Sequence, residues 1–257
     1  MSSITNSSAT YNTQYLNASQ RMAAGVLGMD TNKLNESLSA VSQKYASLKT
    51  QSASSSSSGS ISTVISSEGQ NLNKVYEQVK STGNKEAIEG FRKAVVNFTK
   101  NGDASGLKTF IDTGVKMNSD KNGAAFSDML AVSNNISKQA STKAADTFIK
   151  EAAATYSQSG VESMKAYSEA ANSISAKFET KSTADMSAKS TALSNLNATF
   201  SAVQGQDISE SKIQSQLADI SANVKKQTDL TSVNQYLGTQ YKNITGGVLS
   251  TAGKSAV

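Results

Sequence analysis

A large apolar residue returns every 19 positions through the middle of the chain: Phe91, Phe110, Met129, Phe148, Tyr167 and Met186. Three positions before these heads stand Ile88, Leu107, Phe126, Ala145, Met164 and Thr183, and seven after them stand Phe98, Met117, Ile136, Thr155, Ile174 and Leu193. Those offsets gather side chains on one stripe of an α-helix, so each unit predicts an amphipathic helical segment. Four before each head the residue is small (Ala87, Gly106, Ala125, Ala144, Ser163, Ser182), which predicts close approach of a neighbouring helix. Seven before come Asn84, Asp103, Asn122, Ser141 and Gly160, residue types that serve at a helix N-cap. Glu179 breaks that column and makes the sixth unit the least regular.

A 19-residue step would rotate the stripe of one continuous helix by roughly 100°, so a single rod would bury no constant face. Gly83, Asn101-Gly102, Asn122-Gly123 and Ser159-Gly160 supply turn signals between the stripes. The fold class predicted is all-α: an array of short antiparallel helices, each of about 14–16 residues, joined by turns of a few residues. The array covers residues 68–198, with a partial unit at its head in Leu72, Val75 and Val79. A closed bundle and an open stacked solenoid both satisfy the pattern.

Different patterns flank the array. Residues 1–29 form a polar segment expected to be mobile, and the first 20 carry no charged side chain. Residues 30–50 place Leu34, Leu38, Val41, Tyr45 and Leu48 at alternating steps of four and three, a heptad seam that Asp30 or Thr31 caps. So short a seam needs a partner for stability. Residues 51–67 read as a Ser-rich linker. Residues 199–257 hold C-terminal heptad helices and a tail that frays from Gly246, after a break at Gly205-Gln206-Asp207. Ile213, Leu217, Ile220 and Val224 make the second seam. After an interruption between Thr228 and Ser232, Val233, Leu237, Tyr241, Ile244 and Val248 continue an apolar stripe. The two seams predict either protein partners and self-association through the terminal helices, or covers for the ends of the array.

Composition narrows the chemistry. The chain of 257 residues has no Pro, Cys, Trp or His, which removes most zinc, copper and haem ligation and both Cys–His and Ser–His–Asp catalysis. Neither a phosphate-binding loop nor a G-x-S-x-G elbow occurs. Asp120-Lys-Asn-Gly resembles the start of a calcium loop but lacks its remaining acidic positions, and reads as a capped turn. Asn97-Phe-Thr and Asn197-Ala-Thr match the glycosylation pattern at the rate so Asn- and Ser-rich a chain produces by chance. The reading is therefore non-enzymatic, with no catalytic, cofactor-binding or metal-binding residue. Net charge is +5, but the lysines are scattered and Arg occurs only at Arg21 and Arg92; no nucleic-acid surface is expected. No apolar run approaches a membrane span, and residues 22–29 after Arg21 are a poor match to a signal sequence. Lys93, Lys116, Lys150 and Glu151 are the outward charges that could face a protein partner.

The uncharged Ser/Asn/Thr-rich start (Met1 to Gln20), the lack of Cys and Trp, and heptad helices near both ends resemble bacterial flagellar and type III-secreted axial proteins, the flagellin-like group. The resemblance covers roughly the first and last 50 residues. It implies terminal helices that pair on assembly, and a secreted or cell-surface structural protein of a filament, appendage or other type III-like secreted assembly. The alternative is a helical-repeat scaffold that binds a protein partner inside a cell or virion, with a cytoplasmic location.

Overall fold

The computed structural model describes residues 60–247, other than 177 and 179–181, together with residue 249. The mobile segment, the 30–50 seam and most of the linker lie outside the described residues. All secondary structure among the described residues is helical. The helices are α1 (Ser60–Ser81), α2 (Lys85–Lys100), α3 (Ala104–Ser119), α4 (Gly123–Gln139), α5 (Thr142–Ala176), α6 (Thr183–Gln204), α7 (Glu210–Lys226) and α8 (Leu230–Thr245). Because α1 begins at Ser60, positions 60–67 are helical rather than linker. Low complexity there does not prevent a helix, since Ser costs only a few tenths of a kcal/mol per residue relative to Ala.

The predicted cap residues sit at helix starts. Asn84 accepts from the Ala87 amide at 3.1 Å, Asp103 from Gly106 at 2.8 Å and Ser141 from Ala144 at 3.0 Å. Asn122 occupies the same place in α4 without a side-chain cap bond. Gly160 divides α5 into two helical halves: its φ of 77° and ψ of −177° lie in a region that only glycine adopts without strain. Ser182 accepts from the Asp185 amide at 3.2 Å, so α6 starts three residues late against the 19-residue spacing.

That delay relocates the sixth head. Phe91, Phe110, Met129, Phe148 and Tyr167 are each at most 1% exposed, whereas Met186 is half-buried. The residue seven after the cap Ser182 is Lys189, and it is fully buried. Fourteen after each cap come Phe98, Met117, Ile136, Thr155, Ile174 and, in the shifted register, Leu196, all at most 1% exposed. The interior is a run of touching rings. Phe91 and Phe110 have centroids 5.4 Å apart, Phe110 and Phe126 5.8 Å, Phe148 and Tyr167 5.3 Å, and Tyr167 and Phe200 5.2 Å.

Alternate helices pack closely, α1 on α3, α2 on α4, α5 on α7 and α6 on α8, and α4 and α6 lie as closely on their sequence neighbour α5. Sequential neighbours among α1–α4 touch much less. Gln214 donates to the Ser159 carbonyl and Lys225 to Glu169, so α7 and the second half of α5 advance in the same direction. Asn195 donates to Asn234, and Thr199 to the Leu237 carbonyl, which sets α6 and α8 parallel as well. α2 approaches α4 closely at Gly90, where a Cβ would lie 2.1 Å from the Leu130 carbonyl oxygen. Gly90 falls one residue before the head Phe91; in the predicted small-residue column Ala87 is fully buried, and a Cβ at Gly106 would lie 2.9 Å from Lys150 Cε of α5.

Candidate functional site

Polar side chains on these helices converge in several places. In each they fasten one helix to another.

The first joins α2, α3 and α5. Asp146, near the start of α5, is only 8% exposed. It accepts from the side-chain amides of Asn97, in the last turn of α2, and Asn101, its C-cap, both at 3.3 Å. Burial raises its carboxyl above the usual Asp range, outweighing the help of the Asn97 bond and the Lys150 charge. Beside it, Lys150 pairs with Asp103 and lies 5.7 Å over the Phe98 ring. The Lys150 bond first, and the Gly106 amide second, hold Asp103 below its usual range.

The second lies between α2, α4 and α5. Glu86 accepts from Lys138 at 2.7 Å and from the Asn134 amide at 2.5 Å, and Lys93 donates to Asn134 at 2.9 Å. The Lys138 bond is the main cause that lowers Glu86. An open groove here is lined by Glu86, Asp128, Ala131, Val132, Asn135, Lys138 and Asn172. At its floor Asn135 donates to Asn172 at 3.2 Å and to the Ser175 hydroxyl at 3.3 Å.

The third lies where α5 meets α6. The Lys189 ammonium donates to the Ser175 carbonyl at 2.9 Å, at the last turn of α5. A cation is favoured there by the partial negative charge of the helix C-terminus. Desolvation still lowers the lysine below its usual range. Nearby, the buried Tyr167 hydroxyl donates to Asn197, and burial raises its pKa well above the ordinary tyrosine value.

None of the outward charges expected to meet a partner stands alone. Lys93 holds Asn134, Lys116 holds Asp120 at 2.7 Å, Lys150 holds Asp103, and Glu151 accepts from Ser201 at 3.4 Å. The C-terminal seam is taken up within the chain: Leu217, Ile220 and Val224 are at most 4% exposed and Ile213 is packed against the same core. Its stripe faces α5 rather than offering a free surface. The N-terminal seam residues Leu34, Leu38, Val41, Tyr45 and Leu48 lie outside the described residues.

The sequence reading missed Asp146 and Lys189. A polar residue in an apolar column was the signal for Lys189, and it emerges only after the register is restarted from Ser182. Among the described residues no group of three or more acidic side chains is placed to hold a metal ion, and no helix is long and apolar enough to cross a membrane. No protein-family model matches the chain, and comparison with characterised proteins and with solved structures gives no match.

Proposed function

We propose that this chain is a non-enzymatic structural protein whose middle is a tandem array of 19-residue helical units with neighbouring helices antiparallel, exported into a bacterial surface filament, appendage or other type III-like secreted assembly. The observation that carries the structural part is the use of polar groups. Asp146, Lys189, Glu86 and Asn134 each tie one helix to another, so they maintain shape. The export part rests on the uncharged first 20 residues and on a chain free of Cys and Pro. Neither disulfide formation nor prolyl isomerisation then slows refolding after passage through a channel.

The test is to remove residues 2–20 and compare culture supernatant with cells. The expected result is loss of the protein from the supernatant with an unchanged helical circular-dichroism spectrum. Secretion at the full-length level would overturn the export reading.

The groove between α2, α4 and α5 supports a second reading, a scaffold that holds a protein partner on this face. It exposes the apolar pair Ala131 and Val132 between the charges of Asp128 and Lys138. Retention of a partner that is lost on Val132→Lys, from a chain that stays inside the cell, is the result expected of that alternative.

A further inference from the structure

The 35 residues of α5 hold a single non-helical position, Gly160. In a straight helix Phe148 and Tyr167 would lie about 28 Å apart along the axis. Their rings instead stack at 5.3 Å. One residue therefore turns the chain back on itself. The earlier turns are built differently. Positions 82–84, 101–103 and 120–122 each use three residues between helices, with a positive φ at Gly83, Gly102 or Lys121. Joining two of those helices would need three residues to change conformation, and at Asn84 and Asp103 it would also break a cap bond. Joining the halves of α5 needs only Gly160 to change, and glycine enters the right-handed helical region as readily as its present one. The chain has no Pro to block the longer helix.

The bend is held from the far side of the hinge. Gln204 of α6 donates to the Ser159 hydroxyl at 3.2 Å, and Gln214 of α7 donates to the Ser159 carbonyl at 3.2 Å. Other contacts also join the part before Gly160 to the part after it: Phe148 on Tyr167, Asn135 on Asn172 and Ser175, and Ser201 on Glu151. None of them depends on which copy of the chain supplies the partner. A straightened chain by itself would expose Phe148 and Tyr167, both at most 1% exposed in the bent form. A second straightened copy covers them with the same contacts.

We propose that Gly160 is an exchange hinge: α5 straightens, and two copies of this chain swap the helices that follow residue 160, each completing the other's array. Exchange passed from copy to copy would continue the array along a filament. This rests on the assembly part of the function proposed above, and names a second copy as the partner. It stands apart from the export part, so loss or persistence of secretion leaves it untouched.

The chain has no cysteine, so Asn135→Cys with Asn172→Cys places one thiol on each side of the hinge, at side chains that touch at 3.2 Å. The full-length protein carrying both is refolded from denaturant at high concentration and separated by size, and each fraction is treated with a short bismaleimide linker. The monomer fraction should give a bridge within the chain, and the dimer fraction a covalent dimer on a denaturing gel. Gly160→Ala should tighten the dimer by roughly tenfold or more, because alanine is favoured over glycine inside a helix and disfavoured at positive φ. Glycines inserted after Gly160 should weaken it by roughly the same factor, because a longer joint lets each chain close on itself. Should Gly160→Ala fail to fold, the bridge across the native hinge and the insertion still decide. A dimer fraction that bridges only within each chain, no dimer at any concentration, or a dimer indifferent to the insertion would overturn the exchange.

Discussion

The units from Asn84 to Gly160 and the unit that starts at Ser182 fill the same interior position in different ways. The first five place a buried ring or methionine seven residues after the cap, and the rings Phe91, Phe110, Phe148 and Tyr167 meet rings of adjoining units. The sixth places Lys189 there and attaches its ammonium to the end of the preceding helix. The apolar heads contribute by leaving water. Lys189 must lose hydration and recover it from polar groups, among them the Ser175 carbonyl at the negative end of α5. The difference is in distance from the cap: Lys189, seven residues after Ser182, is buried, while Met186, in the 19-residue column, is half-buried. When the cap moves by three residues the interior position moves with it, even at the cost of burying a charge.

Truncating an apolar head should have the largest effect. Phe110 touches Phe91, Phe98 and Phe126, so Phe110→Ala should cost about 3–5 kcal/mol, read by denaturant unfolding. Lys189→Met should act in the opposite direction. It removes the desolvation cost together with the ammonium's bonds, the one to the Ser175 carbonyl among them. The first term is larger, so stability should rise by about 1 kcal/mol. A loss of similar size in the same assay would mean that the ammonium's bond outweighs its burial.

The acid limb should separate the two carboxylates at the α2–α5 junction. Asp103 has a lowered pKa, chiefly through Lys150, so its contribution is present above the unfolded carboxyl pKa and is lost as pH falls through the folded value. Asp146 has a raised pKa from burial, so the folded state takes up its proton first and gains stability as pH falls through the folded value towards the unfolded one. Asp103→Asn should therefore flatten the acid loss of stability, and Asp146→Asn should steepen it, in unfolding curves taken between neutral pH and the carboxylate range.

Much of this was legible in the chain because caps and heads are local. Asn84, Asp103 and Ser141 act at short range, and their spacing to Phe91, Phe110 and Phe148 follows from helix geometry. The three-residue delay was not legible, since Thr183 and Met186 satisfy the 19-residue columns well enough to hide it. A lysine is also discounted wherever a core residue is sought. Alternate-helix packing was invisible for another reason. It depends on crossing geometry set by close approaches such as Gly90 on Leu130, and a repeat period does not encode which helix arrives there. The C-terminal seam was legible as apolar but not as already occupied, because a heptad stripe looks the same whether its cover comes from its own chain or from another.

Met186→Lys tests the cap-counted register most directly, by denaturant unfolding of the full chain. Met186 stands in the 19-residue column but is half-buried at the edge of α6, so a lysine there can extend its ammonium to water and should change stability by less than about 1 kcal/mol. A loss of about 3 kcal/mol or more, the size expected for an unpaired charge forced into a core, would show that Met186 is the true sixth head and that the register does not restart at Ser182.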